Sequence, residues 1–449
     1  MIGVSLSRWS MSYFAAALLA LLAAEWMMAV GYGYPAADLR APETLVLVHV
    51  VAIGWLSLLM CGALFQFLPV LVNRPLASNT LPLPALACLL TGLAALILGF
   101  LQLGGQIDPA LPALPVAGTL LGAGFSLVLW NLVRTLLAAP DRPLPARFVV
   151  VGLWCLAATV TLGIIFAFAL GSATSWAPLL ALTGTGVPIH IIAGLGGWLT
   201  LTAMGVSYRL LAMFMLAPDL ERRTSRAALY LGTGALAIAI AGGVLAILAE
   251  GDLGLTLMAA LASGLAALFL YGADVVHLYR ARKRRLIELN SRMAALAFAS
   301  LGASVALLLV LTISGRLDDQ VGAVIFLVAF GWLTGLGLSQ LYKIVAFLTW
   351  LECYGPVLGK APTPRVQDLV SEPRAAKWFL LYFAGVWIGA AALLAGQPLL
   401  FRAAAAAMFA GSGGIVVQLV RTRRLAEVKA APALPPGAQR PRLLFSHQT

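Results

Sequence analysis

Gly54-Trp55-Leu56-Ser57-Leu58-Leu59-Met60-Cys61-Gly62-Ala63-Leu64-Phe65-Gln66-Phe67-Leu68-Pro69 is written on a template that the chain uses three times. From Trp55, small, aromatic, polar and helix-ending residues follow at offsets 7, 10, 11 and 14: Gly62, Phe65, Gln66 and Pro69. The same offsets from Trp198 reach Gly205, Tyr208, Arg209 and Ala212, and from Trp332 they reach Ser339, Tyr342, Lys343 and Ala346. The Trp residues are 143 and 134 positions apart, which is room for about four helices of membrane-spanning length per unit. The chain therefore reads as a four-helix unit used three times, an arrangement with pseudo-threefold symmetry.

Composition agrees on the class. With 61% hydrophobic and 10% charged residues over 449 positions, and a mean hydropathy of +0.97, the chain is an all-α polytopic membrane protein rather than a water-soluble globule. Twelve apolar runs long enough to cross hydrocarbon lie near 12–33, 44–72, 80–104, 111–138, 147–171, 187–216, 226–249, 253–279, 293–314, 321–350, 376–395 and 398–420. The first run is too long for a signal-peptide core and is read as a retained helix. Residues 1–425 are expected to form a single transmembrane domain. The Pro-rich stretch Ala431-Pro432-Ala433-Leu434-Pro435-Pro436-Gly437 marks 426–449 as a disordered tail.

Arginine and lysine fall on alternate connections: Arg8, Arg74, Arg142 with Arg147, the Arg222 group, Arg280 to Arg285, Lys360 to Lys377, and Arg421 onward. The intervening connections carry Asp108, no charge at 172–186, Glu250 with Asp252, and Asp318-Asp319. This asymmetry predicts that both termini are cytoplasmic. It also accounts for the net charge of +12 as contact with lipid headgroups, not with nucleic acid.

Cys61, Cys88, Cys155 and Cys353 are isolated in sequence, without the paired spacing of a zinc or c-type haem site, and read as packing residues. No phosphate-binding Gly-rich loop and no His-Glu-x-x-His occurs, so nucleotide-driven pumps and metalloproteases are disfavoured. Met60, Met204, Met213 and Met215 read as packing, with a weaker reading as replacement axial ligands.

Four histidines are present. His277 and His447 read as interfacial or solvated. His49 and His190 each fall in the first turns of a template helix, at similar expected depth, 6 and 8 residues before the template Trp. A two-residue offset turns a side chain by roughly 200° around a helix, which suits two imidazoles facing one ligand from neighbouring helices. Neutral imidazole is an axial ligand for haem iron, and the Val and Ile residues around both positions suit a porphyrin. The other reading is that each ring bonds a helix carbonyl or a water. Glu25 reads as the only acid far inside a span and a candidate proton carrier. Gln66, Arg209 and Lys343 share one template position, as a ring of polar groups or as side chains reaching headgroups. Tyr208 and Tyr342 beside them suit an interfacial aromatic belt.

The pattern His49-x(4)-Gly54-Trp55-x(6)-Gly62-Ala63-x-Phe65-Gln66-x-Leu68-Pro69, within twelve helices in three four-helix arcs, resembles subunit I of the haem–copper oxidase and nitric oxide reductase superfamily. The stretch from Ile189-His190 to Trp198, then Met204 to Arg209, is similar to a divergent bacterial branch. The resemblance implies that His49 ligates a b-type haem and that partners are respiratory membrane subunits or a cytochrome. The chain departs from the family where copper and the second haem are held. The run 226–249 has no histidine, Ile192 stands where one branch has a second imidazole, and Val324 and Phe326 occupy the tenth-helix positions equivalent to His190 and Ile192. Copper and a complete binuclear centre are therefore not expected. Electron transfer, redox or gas response is the expected role, with any enzymatic activity an oxidoreductase one. The alternative is a haem-free member of the fold acting as an assembly factor or small-solute transporter.

Overall fold

A computed structural model describes residues 7–108, 111–429 and 434–446, and twelve helices in it are long and apolar enough to cross a membrane. They are α1 (Ser10–Val30), α2 (Pro42–Val72), α3 (Pro82–Leu103), α4 (Ala113–Leu137), α5 (Leu144–Leu170), α6 (Val187–Met215), α7 (Arg223–Leu248), α8 (Leu253–Arg280), α9 (Leu289–Ile313), α10 (Leu317–Val357), α11 (Glu372–Leu394) and α12 (Pro398–Arg423). Among the described residues no strand occurs. That is what hydrocarbon imposes, because a helix satisfies its own backbone groups where no water can. Proline in the first turn starts α2, α3, α5, α6, α11 and α12, where its missing N–H costs nothing.

The template has a backbone counterpart. Each of its three helices widens into a π stretch around the Gly-Trp pair, Val50–Ser57 in α2, Ile192–Leu201 in α6 and Leu327–Thr334 in α10. The three indoles at its centre, Trp55, Trp198 and Trp332, are buried. In α2 and α6 61% of the most apolar window is buried and in α10 78%, against at most 50% in every other span, so the template helices pack against protein rather than lipid. Each packs on the helix before it, α2 on α1, α6 on α5 and α10 on α9. The template glycines make this approach close: Gly62 faces Tyr13 and Phe14, Gly205 faces Phe148, and Gly331 faces Ser300.

The helices gather into two compact units. The first, residues 1–66 and 287–449, contains α1, most of α2 and α9 to α12; the second, residues 67–286, contains the end of α2 and α3 to α8. In the second unit α3 packs on α4, α4 on α5, α5 on α6 and α7 on α8. In the first, α12 packs on α1, α10 and α11.

Residues 434–446, within the stretch read as a tail, lie against the bundle; His447 lies outside the described residues. Leu434 and Ala438 pack on a buried cluster of Cys353, Tyr354, Val357, Leu369 and Leu425. The Ser446 amide donates to the Arg8 carbonyl at 2.9 Å. The Phe445 ring lies 4.9 Å from the Arg442 guanidinium and 5.7 Å from that of Arg8. A Pro-rich composition reads as disorder only when nothing apolar receives it, and here the ends of α10 and α12 do.

Just after α12, Glu427 binds Arg374 at 2.7 Å and Arg421 at 2.6 Å, tying α11 to the end of α12. The Arg421 hydrogen bond, ahead of the nearby Arg374 charge, holds its carboxyl below the ordinary value of 4.5. A depressed value means that the stabilisation is complete above 4.5 and fades as pH falls through the native value. The melting-temperature difference between wild type and Glu427→Gln should therefore be constant near neutrality and shrink below pH 4.5. A difference independent of pH would show that the ion pairs do not stabilise this end of the bundle.

Close packing of α11 on α12 depends on Gly411, where a Cβ would lie 2.7 Å from the Tyr382 amide nitrogen and 2.9 Å from the Trp378 carbonyl oxygen. Neither backbone atom can yield cheaply, so Gly411→Val is expected to cost about 1–3 kcal/mol. Gly413→Ala, which meets nothing within 4 Å, is the control that should leave thermal unfolding in detergent unchanged.

Candidate functional site

The two candidate imidazoles fall in different units, His49 in the first and His190 in the second. His49 ends the α-helical opening of α2 and directly precedes its π stretch. It lies seven residues, about 10 Å, into the helix. Its Nδ1 is 2.7 Å from the Leu45 carbonyl oxygen. A carbonyl only accepts, so Nδ1 carries the proton and Nε2 is the nitrogen that presents a lone pair. This bond is common to both readings of the residue: it satisfies a buried imidazole, and it is also the outer-shell bond that orients a histidine ligand toward a metal.

His190 lies three residues, about 4.5 Å, into α6 and just before its π stretch. Its ring rests against α5, 5.5 Å from the Phe166 ring, and a Cβ on Gly163 would approach its Cε1 to 3.3 Å. The glycine on α5 gives this imidazole its room. Both rings are half-buried. Among the described residues no group of three or more His, Cys, Asp and Glu side chains is placed to hold a metal ion. A haem needs less from the protein, because the porphyrin supplies four nitrogens to its own iron. One or two imidazoles per site fit that demand.

In α10 the position equivalent to His190 is Val324, and the residue two further on, Phe326, is packed solidly. Its ring lies 5.1 Å from Phe330 and 5.4 Å from Phe401. Gly389 of α11 receives its edge. Around Phe326 the third template helix offers aromatic contact.

In the π stretch of α10 two carbonyls also accept side-chain donors. Thr334 Oγ1 donates to the Ala329 carbonyl at 2.8 Å, and Tyr382 Oη donates to the Phe330 carbonyl at 2.6 Å. Thr334 Oγ1 also accepts the Trp55 indole N–H at 2.8 Å, so the widened parts of α2 and α10 are joined directly. Thr334→Val keeps the shape, removes this acceptor and leaves a buried N–H unpaired, at an expected cost of about 1–3 kcal/mol. In a double-mutant cycle with Trp55→Phe the two losses should be less than additive; strict additivity would break the assigned bond.

The template's polar position does not have one environment. Gln66 Oε1 accepts from the Ser7 amide at 2.8 Å. Arg209 pairs with Asp219 at 2.6 Å on an exposed face, and Lys343 pairs with Glu288 at 2.7 Å. Each residue is bound by the segment next to it. Tyr208 and Tyr342, expected in an interfacial belt, are buried instead. Tyr208 Oη donates to Asp274 at 3.0 Å and stacks edge-on with Tyr271.

Glu25 is not alone as an acid buried within a span. Asp274 of α8 and Glu352 of α10 are equally buried. Both stand near helix ends, where sequence alone places them in headgroups. Their partners are distant in sequence: Asp274 accepts from Thr224 at 2.6 Å as well as from Tyr208, and Glu352 pairs with Arg423 at 2.8 Å. Glu25 accepts from Ser412 Oγ of α12 at 2.9 Å. No family model matches this chain, and no curated protein matches it.

Proposed function

We propose that this chain is a bacterial inner-membrane haem protein with the fold of haem–copper oxidase subunit I, its twelve helices in three arcs and both termini in the cytoplasm. One b-type haem is ligated by His49, with His190 as the second ligand to test. The observation that carries the reading is the His49 Nδ1–H bond to Leu45, which orients the ring and leaves Nε2 as the basic nitrogen. The π stretches that begin beside both histidines support it, since such widening of a helix is frequent at functional sites. When bound, a b-type haem supplies a one-electron couple suited to electron transfer, redox sensing or gas response. The chain's part is to hold and orient the imidazoles and to keep water out with Val46, Val50 and Val51 around one and Ile189 and Phe166 beside the other. No binuclear centre belongs to this proposal, and the aromatic packing of Phe326 supports that limit.

That same packing favours the second reading, a haem-free member of the fold serving as an assembly factor or small-solute carrier. The protein purified in detergent after expression with ample haem separates the two. A sharp b-type α-band in the reduced-minus-oxidised spectrum, lost in His49→Ala and weakened or broadened in His190→Ala, is expected. Absence of Soret absorbance in a folded preparation would overturn the haem reading. An unchanged spectrum in His190→Ala would remove that residue from the ligand set.

A further inference from the structure

The three buried acids differ in what surrounds them. Asp274 accepts from two hydroxyls and lies 3.7 Å from the Arg222 guanidinium, and Glu352 is in an ion pair. Asp274 has a donor on each oxygen and Glu352 has a cation, and each ties helices together. Glu25 is not: Ser412 supplies one hydrogen bond to Oε1, while Oε2, equally shielded from solvent, has no hydrogen-bond partner among the described residues. Glu25 takes part in no ion pair among them either.

The groups around it show why no cation answers it. Helix α1 packs on α12 and on the π stretch of α2. On α12 the charged side chains are Arg402, whose Nε donates to the Ala29 carbonyl at 3.1 Å, and Arg421 and Arg423 at the far end, bound to Glu427 and Glu352. On α2 the titratable side chains are Glu43, His49 and Cys61, with His49 bonded to Leu45. On α11, beside α12, the titratable side chain away from the first turns is Tyr382, whose hydroxyl donates a hydrogen bond to the Phe330 carbonyl. The charged residues of α11, Glu372, Arg374 and Lys377, stand in its first turns.

An unpaired carboxylate in an apolar interior is among the costliest groups a protein can hold, and taking up a proton removes that cost. A purely structural carboxyl would be expected to use both oxygens, as Asp274 does. Glu25 lies five residues, about 7.5 Å, from the end of α1 nearer the outer connection, within reach of the membrane boundary.

We propose that Glu25 is a proton-exchange site of the first unit, taking up and releasing one proton at Oε2 while Ser412 holds Oε1. The reaction is a simple protonation of the carboxylate and needs no further reactant. The site is independent of any haem.

Infrared difference spectroscopy of the full-length protein in liposomes, stepped across pH, tests this. The expected result is a protonated-carboxyl C=O band that diminishes as pH rises, shifts promptly in D2O, and is lost in Glu25→Gln. Ser412→Ala, which keeps the acid and removes its one donor, should move the midpoint of that titration. Circular dichroism and melting of both variants show whether they are folded, and a band lost with the fold in Glu25→Gln leaves the Ser412→Ala midpoint to decide. A Glu25 band unchanged by pH and slow to exchange in D2O would make the residue a static buried acid and overturn the proposal. So would a pH-dependent band that survives in folded Glu25→Gln, or a midpoint unmoved in Ser412→Ala.

Discussion

Hydrocarbon offers no water to a backbone carbonyl, and that constraint governs the rest of this structure. A continuous helix meets it without help, and a π stretch meets it with a ladder shifted by one residue, which leaves room for side chains to add bonds to its carbonyls. The chain widens its helices at all three Gly-Trp pairs. In α10 such bonds are present: Thr334 and Tyr382 donate to successive carbonyls, Ala329 and Phe330, and Thr334 then receives Trp55. Trp55 therefore does more than fill volume: its indole N–H fastens the π stretch of α2 to that of α10.

The same constraint sorts the acids. A carboxylate within a span needs hydrogen bonds, a cation or a proton, and the chain uses one solution each for Asp274, Glu352 and Glu25. The first two lie near helix ends, where arginines can reach them. Glu25 stands about as close to the end of its helix as they do, but among side chains that carry no opposing charge close by. The partners within reach, rather than position along the span, separate a structural acid from one that exchanges its proton.

Much of the fold was legible because membrane helices announce themselves by length and hydropathy, and all twelve runs are helical. The template was legible because its offsets are fixed, and each copy carries the same backbone widening. The burial of Tyr208 was not: an aromatic beside an arginine near a helix end suits a headgroup belt equally well, and only the arrival of Asp274 from 66 residues away draws it inward. The seating of residues 434–446 was hidden for a similar reason, since the surface that receives them is assembled from α10, α12 and the 355–371 connection. At the candidate site the positions of His49 and His190 along their helices were readable. The tautomer of His49 was not, because it depends on the distance to a carbonyl one turn back.

The three repeats show which parts of a duplicated helix are held by packing and which are released to diverge. Trp55, Trp198 and Trp332 are buried at the centre of a π stretch, and each of these helices packs on the one before it. Any substitution there disturbs a core that lipid cannot refill. At the polar position the copies have become Gln66, Arg209 and Lys343, each answered by a partner from its own neighbourhood: the Ser7 amide, Asp219 and Glu288. At the position of His190 the third copy has Val324, with Phe326, Phe330 and Phe401 closing the region. His49 and His190 stand at different template positions, six and eight residues before the Trp, and each occurs in one copy only: Leu47 and Val324 stand where the second copy has His190, and Ile192 and Phe326 where the first has His49. The repeated frame, fixed by Gly-Trp, therefore requires neither histidine, and each is an addition to a helix that packs without it.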